Sequence, residues 1–470
     1  MSKRVILLGL DFGSTTSSAL IASAKVARSS ATGHMQLDDV QVIYKSEPVF
    51  TPFDNQNIDT EKVAKLIANW FTESGVTVAD IFSGGSMITG LAAQADNAAA
   101  LSKLIISMVG ESVIATADDP CLESWLAFMG SCGALSRYHA DATILNFDIG
   151  GGTTNAALGA NGDVQATGCY FIGARHFQFE PGSYRLSAIS AYGKALLEAF
   201  NINKKVADTL NSNEREEIIT FYINALESIV LEDKGFFKVP LAEKHAQVAL
   251  NLPPNLNPKI TFSGGVGELI YKIVANETLP SCTFFGDFGI DLALAISRSA
   301  LLSADLHTNV PEHKGRATVV GLTLHSTEIS GNTVYLPSLD CLPLRDLPII
   351  AKLLADSPVE QWQDAFALAA KRAQGTCIQI HTCNNTLEQI RELAAKIKHA
   401  MQTIKYAPSK PIVILVEANI GKALGNYICD WEQTQYNLIV IDEVALRDAH
   451  FVHIGCTHQG MIPVSFYGLY

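Results

Sequence analysis

Two stretches of this chain repeat one unusual pattern, and any fold must satisfy both. The apolar run Val5-Ile6-Leu7-Leu8-Gly9-Leu10 leads into Asp11-Phe12-Gly13-Ser14-Thr15-Thr16, then on to Ala19-Leu20-Ile21. A second apolar run, Ala142 to Phe147, leads into Asp148-Ile149-Gly150-Gly151-Gly152-Thr153-Thr154 and leaves through Asn155 to Gly159. Each reads as a buried strand, a tight glycine turn and a second strand. Glycines at such a turn let backbone N–H groups converge on an anion with no Cβ in the way. The hydroxyls of Ser14, Thr15, Thr16, Thr153 and Thr154 add donors, and Asp11 and Asp148 stand where a carboxylate can hold a hydrated Mg²⁺. A single copy would pass as an ordinary hairpin. Two copies suggest a duplicated half, each supplying one phosphate clamp.

A third element follows at Ile260-Thr261-Phe262-Ser263-Gly264-Gly265-Val266-Gly267-Glu268. It reads as a short strand and paired glycines opening a helix with Val266, Leu269, Ile270, Ile273 and Val274 on one face. Gly264, Gly265 and Gly267 allow a flat ring such as adenine to approach the backbone, with Glu268 beside it, and the helix start favours anions. There is no G-x-x-x-x-G-K-[ST] run, so a P-loop is not the competitor.

In this order and spacing the three stretches resemble the phosphate-1, phosphate-2 and adenosine motifs of the actin, heat-shock chaperone and sugar kinase superfamily. The resemblance implies an α/β fold: an actin-like ATPase with two duplicated ribonuclease H-like domains flanking an ATP·Mg²⁺ cleft. It divides the chain into residues 1–140 (with a crossing helix at 287–304), residues 141–286 and an additional C-terminal α/β region at 306–470. The segment Asp118-Asp119-Pro120-Cys121-Leu122-Glu123 resembles the superfamily's connecting helix, whose acid-Pro pair places a carboxylate near the metal and the attacking water. Asp119 fits that catalytic acid by position, and Glu123, one turn on, is its rival. Asp at a helix start is also a plain cap, so both readings stand open.

Over its whole length the chain resembles the reactivating factors of the adenosylcobalamin-dependent ethanolamine ammonia-lyase. The likeness is carried by LLGLDFGSTTSSALIA, FSGGSMITGLAAQADNAAAL, NFDIGGGTTNAAL and the last third. It implies an ATP-dependent chaperone that releases damaged cobalamin from the inactivated lyase so that adenosylcobalamin can rebind. ATP and Mg²⁺ would be the cofactors and the lyase the protein partner, with cobalamin contacted at most indirectly; a homodimer is compatible with this. The expected location is the cytoplasm, where association with an ethanolamine-utilisation microcompartment would fit. A small-molecule kinase on the same fold is the alternative. It needs a carboxylate base facing a polar pocket, and the residues after the first hairpin contain no obvious sugar-binding run. Chaperones and actins of the superfamily place a lysine near the phosphates. Ser14-Thr15-Thr16-Ser17-Ser18 has none, which predicts slow hydrolysis.

Composition narrows the classes further. With 48% hydrophobic and 17% charged residues over 470, the chain forms cores rather than disorder. A formal net charge of −13 argues against a nucleic-acid partner. No apolar run reaches the ~18 residues of a membrane span, so no membrane partner is expected. Nine cysteines with no C-x-x-C pair fit reduced thiols. Ser83-Gly84-Gly85-Ser86 reads as a loop after a strand at 79–82. Residues 305–316 read as a linker, 317–340 as β-rich, and 376–441 as alternating strands and helices. Asn419-Ile420-Gly421-Lys422 opens one of those helices and reads as structural. His450, His453, Cys456 and His458 tempt a zinc assignment, but a strand entering a turn scatters them over two faces. Cys377, His381 and Cys383 are weaker still.

Overall fold

The computed structural model describes every residue except 1–3, 30–33, 55–56, 94, 111–112, 140, 255, 332, 373, 383–385, 408, 432–435 and 459. In the first half, β1 (Arg4–Phe12), β2 (Thr16–Arg28) and β3 (Met35–Lys45) form an antiparallel meander. Helix α1 (Thr60–Ser74) buries Val63, Ile67 and Trp70, is capped by the Asp59 side chain on Lys62 N, and stops at Gly75 in the left-handed region. The chain returns as β4 (Ile81–Ile88), parallel to β1, and α2 (Ala98–Val109) leads to β5 (Val113–Ala117). The strand order is β3-β2-β1-β4-β5. The loop expected at Ser83–Ser86 is instead the middle of β4, buried throughout. A Cβ on Gly84 would lie 1.9 Å from the Leu8 carbonyl oxygen, so glycine here lets β4 close onto β1.

Helix α3 (Pro120–Ser131) then carries the chain into a second copy of the design. Strands β6 (Ile144–Ile149), β7 (Thr154–Ala160) and β8 (Asp163–Tyr170) again form a meander. After α4 (Ala191–Ala199) and α5 (Ser212–Val230) come β9 (Ala246–Val248) and β10 (Lys259–Ser263), the latter parallel to β6. The order β9-β8-β7-β6-β10 is similar to the first sheet: the opening strand lies inside the sheet, with its hairpin on one side and a parallel return on the other, although one return strand follows it here and two in the first sheet. Together the sheets make a two-sheet α/β architecture, the fold class expected from the sequence.

Two expectations about the connections need correction. Residues 287–304 were expected to cross back to the first half. Helix α6 (Gly264–Val274) and α7 (Gly289–Arg298) instead pack together, with Ile290, Leu292, Ala293 and Ile296 in one core with Phe147, Leu226 and Ile270. The returning helix is α8 (Ala317–Leu324), where a β-rich segment was expected. Its β-branched residues favour strand locally, but it is buried from Ala317 to Thr323 between α3 and the first sheet, and that packing overrides the preference. Glycine makes the approach possible: a Cβ on Gly130 would stand 2.0 Å from the Ala317 oxygen, and one on Gly321 2.0 Å from the Leu126 oxygen.

The remaining chain forms a third sheet. Its elements are β11 (Thr327–Ile329), β12 (Leu344–Leu354), α9 (Val359–Ala370), β13 (Thr376–His381), α10 (Leu387–Ile404), β14 (Ile412–Val416), α11 (Gly421–Ile428), β15 (Leu438–Ile441), β16 (Ala449–Ile454) and β17 (Pro463–Leu469). The order is β11-β17-β16-β12-β13-β14-β15, with β12 to β15 parallel. The helices α9, α10 and α11 bury Trp362, Ile397 and Leu424 against those parallel strands. Strand β17 packs Tyr467 and Leu469 beside Trp125 of α3, which ties this sheet to the other two. Among the described residues no helix is long and apolar enough to cross a membrane.

Candidate functional site

The two hairpins are built alike. Asp11 and Asp148 are each the second-last residue of a strand, and each turn closes with the same bond: Gly13 N–H to Thr16 O and Gly150 N–H to Thr153 O, both 3.0 Å. They also meet. A Cβ on Gly151 would lie 2.4 Å from Thr15 Oγ1 and 3.2 Å from Ser14 Cβ. The end of β4 joins them, since a Cβ on Gly90 would lie 2.3 Å from Ser14 Oγ. Behind the second hairpin, Ala174 N–H donates to Gly150 O at 3.1 Å and Arg175 N–H to Gly151 O at 2.6 Å.

Between the halves lies a cleft of about 450 Å³. Gly13, Ser14, Thr15 and Thr16 line one wall, Gly150, Gly151 and Thr153 the other, and Gly264, Gly265 and Glu268 a third side. Gly265 faces open space, with no atom within 4 Å of an added Cβ. Three of the anticipated nucleotide-binding residues do not line the cleft. Gly152 is buried; Thr154 donates its hydroxyl to Ile172 O at 2.7 Å; and Gly267 packs its helix against Phe262, 2.9 Å from an added Cβ.

Asp11, Asp148 and Glu123 are three of the five carboxyl groups that line this cleft, with Glu268 and Asp287. Asp148 ends a buried hydrogen-bond chain: Thr261 Oγ1 donates to Asn146 Oδ1 (3.0 Å), Asn146 Nδ2 to Ser263 Oγ (2.8 Å), and Ser263 Oγ to Asp148 Oδ1 (2.5 Å). Among the described residues Asp11 has a long contact from Thr89 Oγ1, at 3.4 Å. Burial, and next the Asp148 charge, push Asp11 up to about 7. Burial pushes Asp148 up to about 6 against the hydroxyls of Ser263 and Thr318. Glu123 is held well above the usual range by burial and then by both aspartates. Asp148 thus raises Asp11, and both raise Glu123, a buried cluster of acids whose repulsion a cation would relieve. Among the described residues no group of three or more His, Cys, Asp or Glu side chains forms a ready metal cage.

The two candidate acids at the start of α3 part company. Glu123 reaches the cleft, whereas Asp119 is not among its lining residues. Both Asp119 oxygens are engaged elsewhere: Oδ1 accepts from Leu122 N at 3.2 Å as a helix cap, and Oδ2 from Gly468 N of β17 at 2.5 Å. Asp119 therefore fastens the head of α3 to the third sheet.

Sequence reading missed several lining residues: Thr89, Phe50, Phe284, Asp287, Arg316 and Thr318. The missing lysine of the first hairpin is offset by cations from elsewhere, Lys272 (paired with Glu268 at 3.0 Å) and Arg316 (bonded to Ser46 O). The basic-Gly-basic run Lys314-Gly315-Arg316 just before α8, at the end of the stretch that reads as linker, is the available signal. Elsewhere, His450, Cys456 and His458 are exposed while His453 is buried, and Cys383 lies outside the described residues.

Comparisons with known proteins agree with the full-length likeness. The family model described as ethanolamine utilisation protein EutA matches residues 3–469. The ethanolamine ammonia-lyase reactivase EutA of Salmonella typhimurium (strain LT2) is 27% identical over 488 residues, covering 99% of this chain and 98% of that protein. The protein of the same name from Escherichia coli K12 is 27% identical over 483 residues, with the same coverage. Among solved structures, the ethanolamine utilization protein EutJ from Carboxydothermus hydrogenoformans aligns at 13% identity and a TM-score of 0.30, covering 68% of this chain and 89% of that one. The chain belongs to the EutA family of ethanolamine utilisation proteins.

Proposed function

We propose that this cleft binds and slowly hydrolyses ATP, and that hydrolysis drives reactivation of ethanolamine ammonia-lyase by exchange of damaged cobalamin for adenosylcobalamin. The observation that carries the reading is the meeting of two like-built turns, Gly151 against Thr15, with an aspartate behind each. Turns rich in N–H and hydroxyl donors on opposite walls can hold a polyphosphate between them. Asp11 and Asp148 would hold Mg²⁺, which when bound neutralises charge on the phosphate oxygens.

Glu123 is the acid in reach of the cleft, and its role is to accept a hydrogen bond from the attacking water. The water oxygen bonds to the γ-phosphorus as the bond to the bridging oxygen breaks. The electron pair stays on ADP, and the water's protons leave on phosphate and into solvent. Asp119 acts one step back, fixing the helix that carries Glu123. Because α3 packs on α8, and Thr318 of α8 bonds Asp148, phosphate occupancy can shift both helices and the angle between the halves. The lyase enters as partner through the names of the relatives, and the third sheet adjoining α3 is where such motion would emerge.

The test incubates cyanocobalamin-inactivated lyase with this protein, Mg²⁺ and adenosylcobalamin, with and without ATP. Recovery of ammonia release only with ATP is the expected result. Recovery without ATP, or none, overturns it, and phosphorylation of a small sugar or acid would point to a kinase. Turnover of about 10 per second or more would contradict slow hydrolysis.

A further inference from the structure

The second half holds a cation that the account above does not use. Arg175 sits directly behind the second hairpin, its N–H on Gly151 O at 2.6 Å and its Cβ 3.2 Å from where a Cβ on Gly151 would stand. Its side chain is 20% exposed and its Nη1 is buried, with no hydrogen-bond partner among the described residues. The nearest acid, Asp287, stands 3.9 Å from Nη1, too far for a hydrogen bond, and gives one oxygen to Gly289 N at 2.9 Å.

A guanidinium cannot shed its charge, so leaving one of its N–H groups buried and unpaired is costly. Such a group in a native fold calls for an explanation. The missing partner has a natural source. Asp287 lines the cleft together with Gly150, Gly151 and Thr153, so Arg175 and its loose counter-ion adjoin the wall that would hold phosphate. Guanidinium donors match phosphate oxygens in both geometry and charge.

We propose that Arg175 binds the terminal phosphate of the nucleotide at the second hairpin, and that Asp287 holds the guanidinium in waiting when that phosphate is absent. This rests on the reading of the cleft as an ATP site. The guanidinium neither gains nor loses a proton. It balances the negative charge on the γ-phosphoryl oxygens while the bond to the bridging oxygen breaks and its electron pair passes to ADP. One cation held by a competing carboxylate also suits slow turnover better than a lysine fixed on the phosphates.

The experiment measures single-turnover hydrolysis, and the binding of ADP and of a non-hydrolysable ATP analogue, in the full chain with Mg²⁺. Arg175→Gln should slow hydrolysis about 100-fold or more, with ADP affinity changed less than about threefold. Asp287→Asn keeps the acceptor for Gly289 N and frees Arg175, so it should tighten the ATP analogue several-fold while ADP stays unchanged. A purely structural ion pair predicts the reverse: thermal destabilisation in both variants and no gain in affinity. Hydrolysis by a folded Arg175→Gln within threefold of the parent, or no tightening in Asp287→Asn, overturns the assignment alone. If the parent binds neither nucleotide, the reading of the cleft falls and this assignment with it.

Discussion

The two halves use one plan and finish it differently. Both hairpins follow an Asp-x-Gly strand end and close through equivalent 3.0 Å bonds. Yet Asp148 is anchored at 2.5 Å by Ser263 at the end of a buried chain of side chains, while among the described residues Asp11 has the longer 3.4 Å contact from Thr89. The turns differ as well. An added Cβ on Gly13 would meet nothing closer than the Thr16 oxygen at 3.1 Å, whereas one on Gly151 would strike Thr15 of the other half. The first half thus contributes a looser wall, and the second a braced one with the tighter steric limit. The shared plan follows the Asp-x-Gly pattern that the sequence repeats. The divergence lies in what each half packs against.

The largest effect expected from this asymmetry is on turnover. On the proposed reading both aspartates hold the metal, but the anchored one has less freedom to be replaced by water. Asp148→Asn should cut Mg²⁺-dependent ATP turnover about 100-fold, and Asp11→Asn about tenfold. Equal losses would mean that the metal is shared evenly and that the Ser263 anchor does not matter. Unchanged turnover in both would remove the metal assignment.

Next in size is the contact between hairpins. Gly151→Ala puts its methyl group 2.4 Å from Thr15 Oγ1, which forces one wall of the cleft to move. Nucleotide affinity should fall about tenfold, or 1.4 kcal/mol. Gly13→Ala, with its nearest neighbour at 3.1 Å, should cost less than about threefold. The reverse order, read by titration of a fluorescent nucleotide, would show that the first hairpin is the tighter wall.

What the sequence disclosed follows from how local each feature is. The Asp-x-Gly turns, the strand and helix at Ile260–Val274 and the alternation from Thr376 to Ile441 are written in contiguous residues, and the order of strands and helices there agrees with expectation. Contributions from distant segments were not legible. Thr318 and Arg316 reach the cleft because α8 folds back across it, and a run rich in Thr and Val gives no local hint of a helix. Asp119 and Glu123 could not be told apart because capping and water activation call for the same residue type. Only the bond from Gly468, 349 residues on, separates them.

The smallest effect concerns acid. The second half buries His176 and His245 completely, while the histidines of the first half, His34 and His139, are both partly exposed. Burial, and next its neighbour His245, push His176 from 6.5 down to about 3, and burial also lowers His245. Their packing suits the neutral ring: His176 Nδ1 meets Ser190 Oγ at 2.9 Å, and His245 Nδ1 meets Leu241 O at 2.8 Å. The sign follows directly. An unfolded histidine takes up a proton below 6.5 and the buried one does not, so stability is complete above that pH and is lost as pH falls towards 3. At pH 6 the buried His176 ring should cost about 0.8 kcal/mol, which lowers hydrogen-exchange protection about fourfold in the second half. Protection corrected for intrinsic rates should hold in α1 and α2 between pH 7 and 6 and fall in α4 and α5. In His176→Asn, which cannot titrate, that fall should shrink. Equal loosening of both halves would show that acid acts through their shared cleft rather than through the second core.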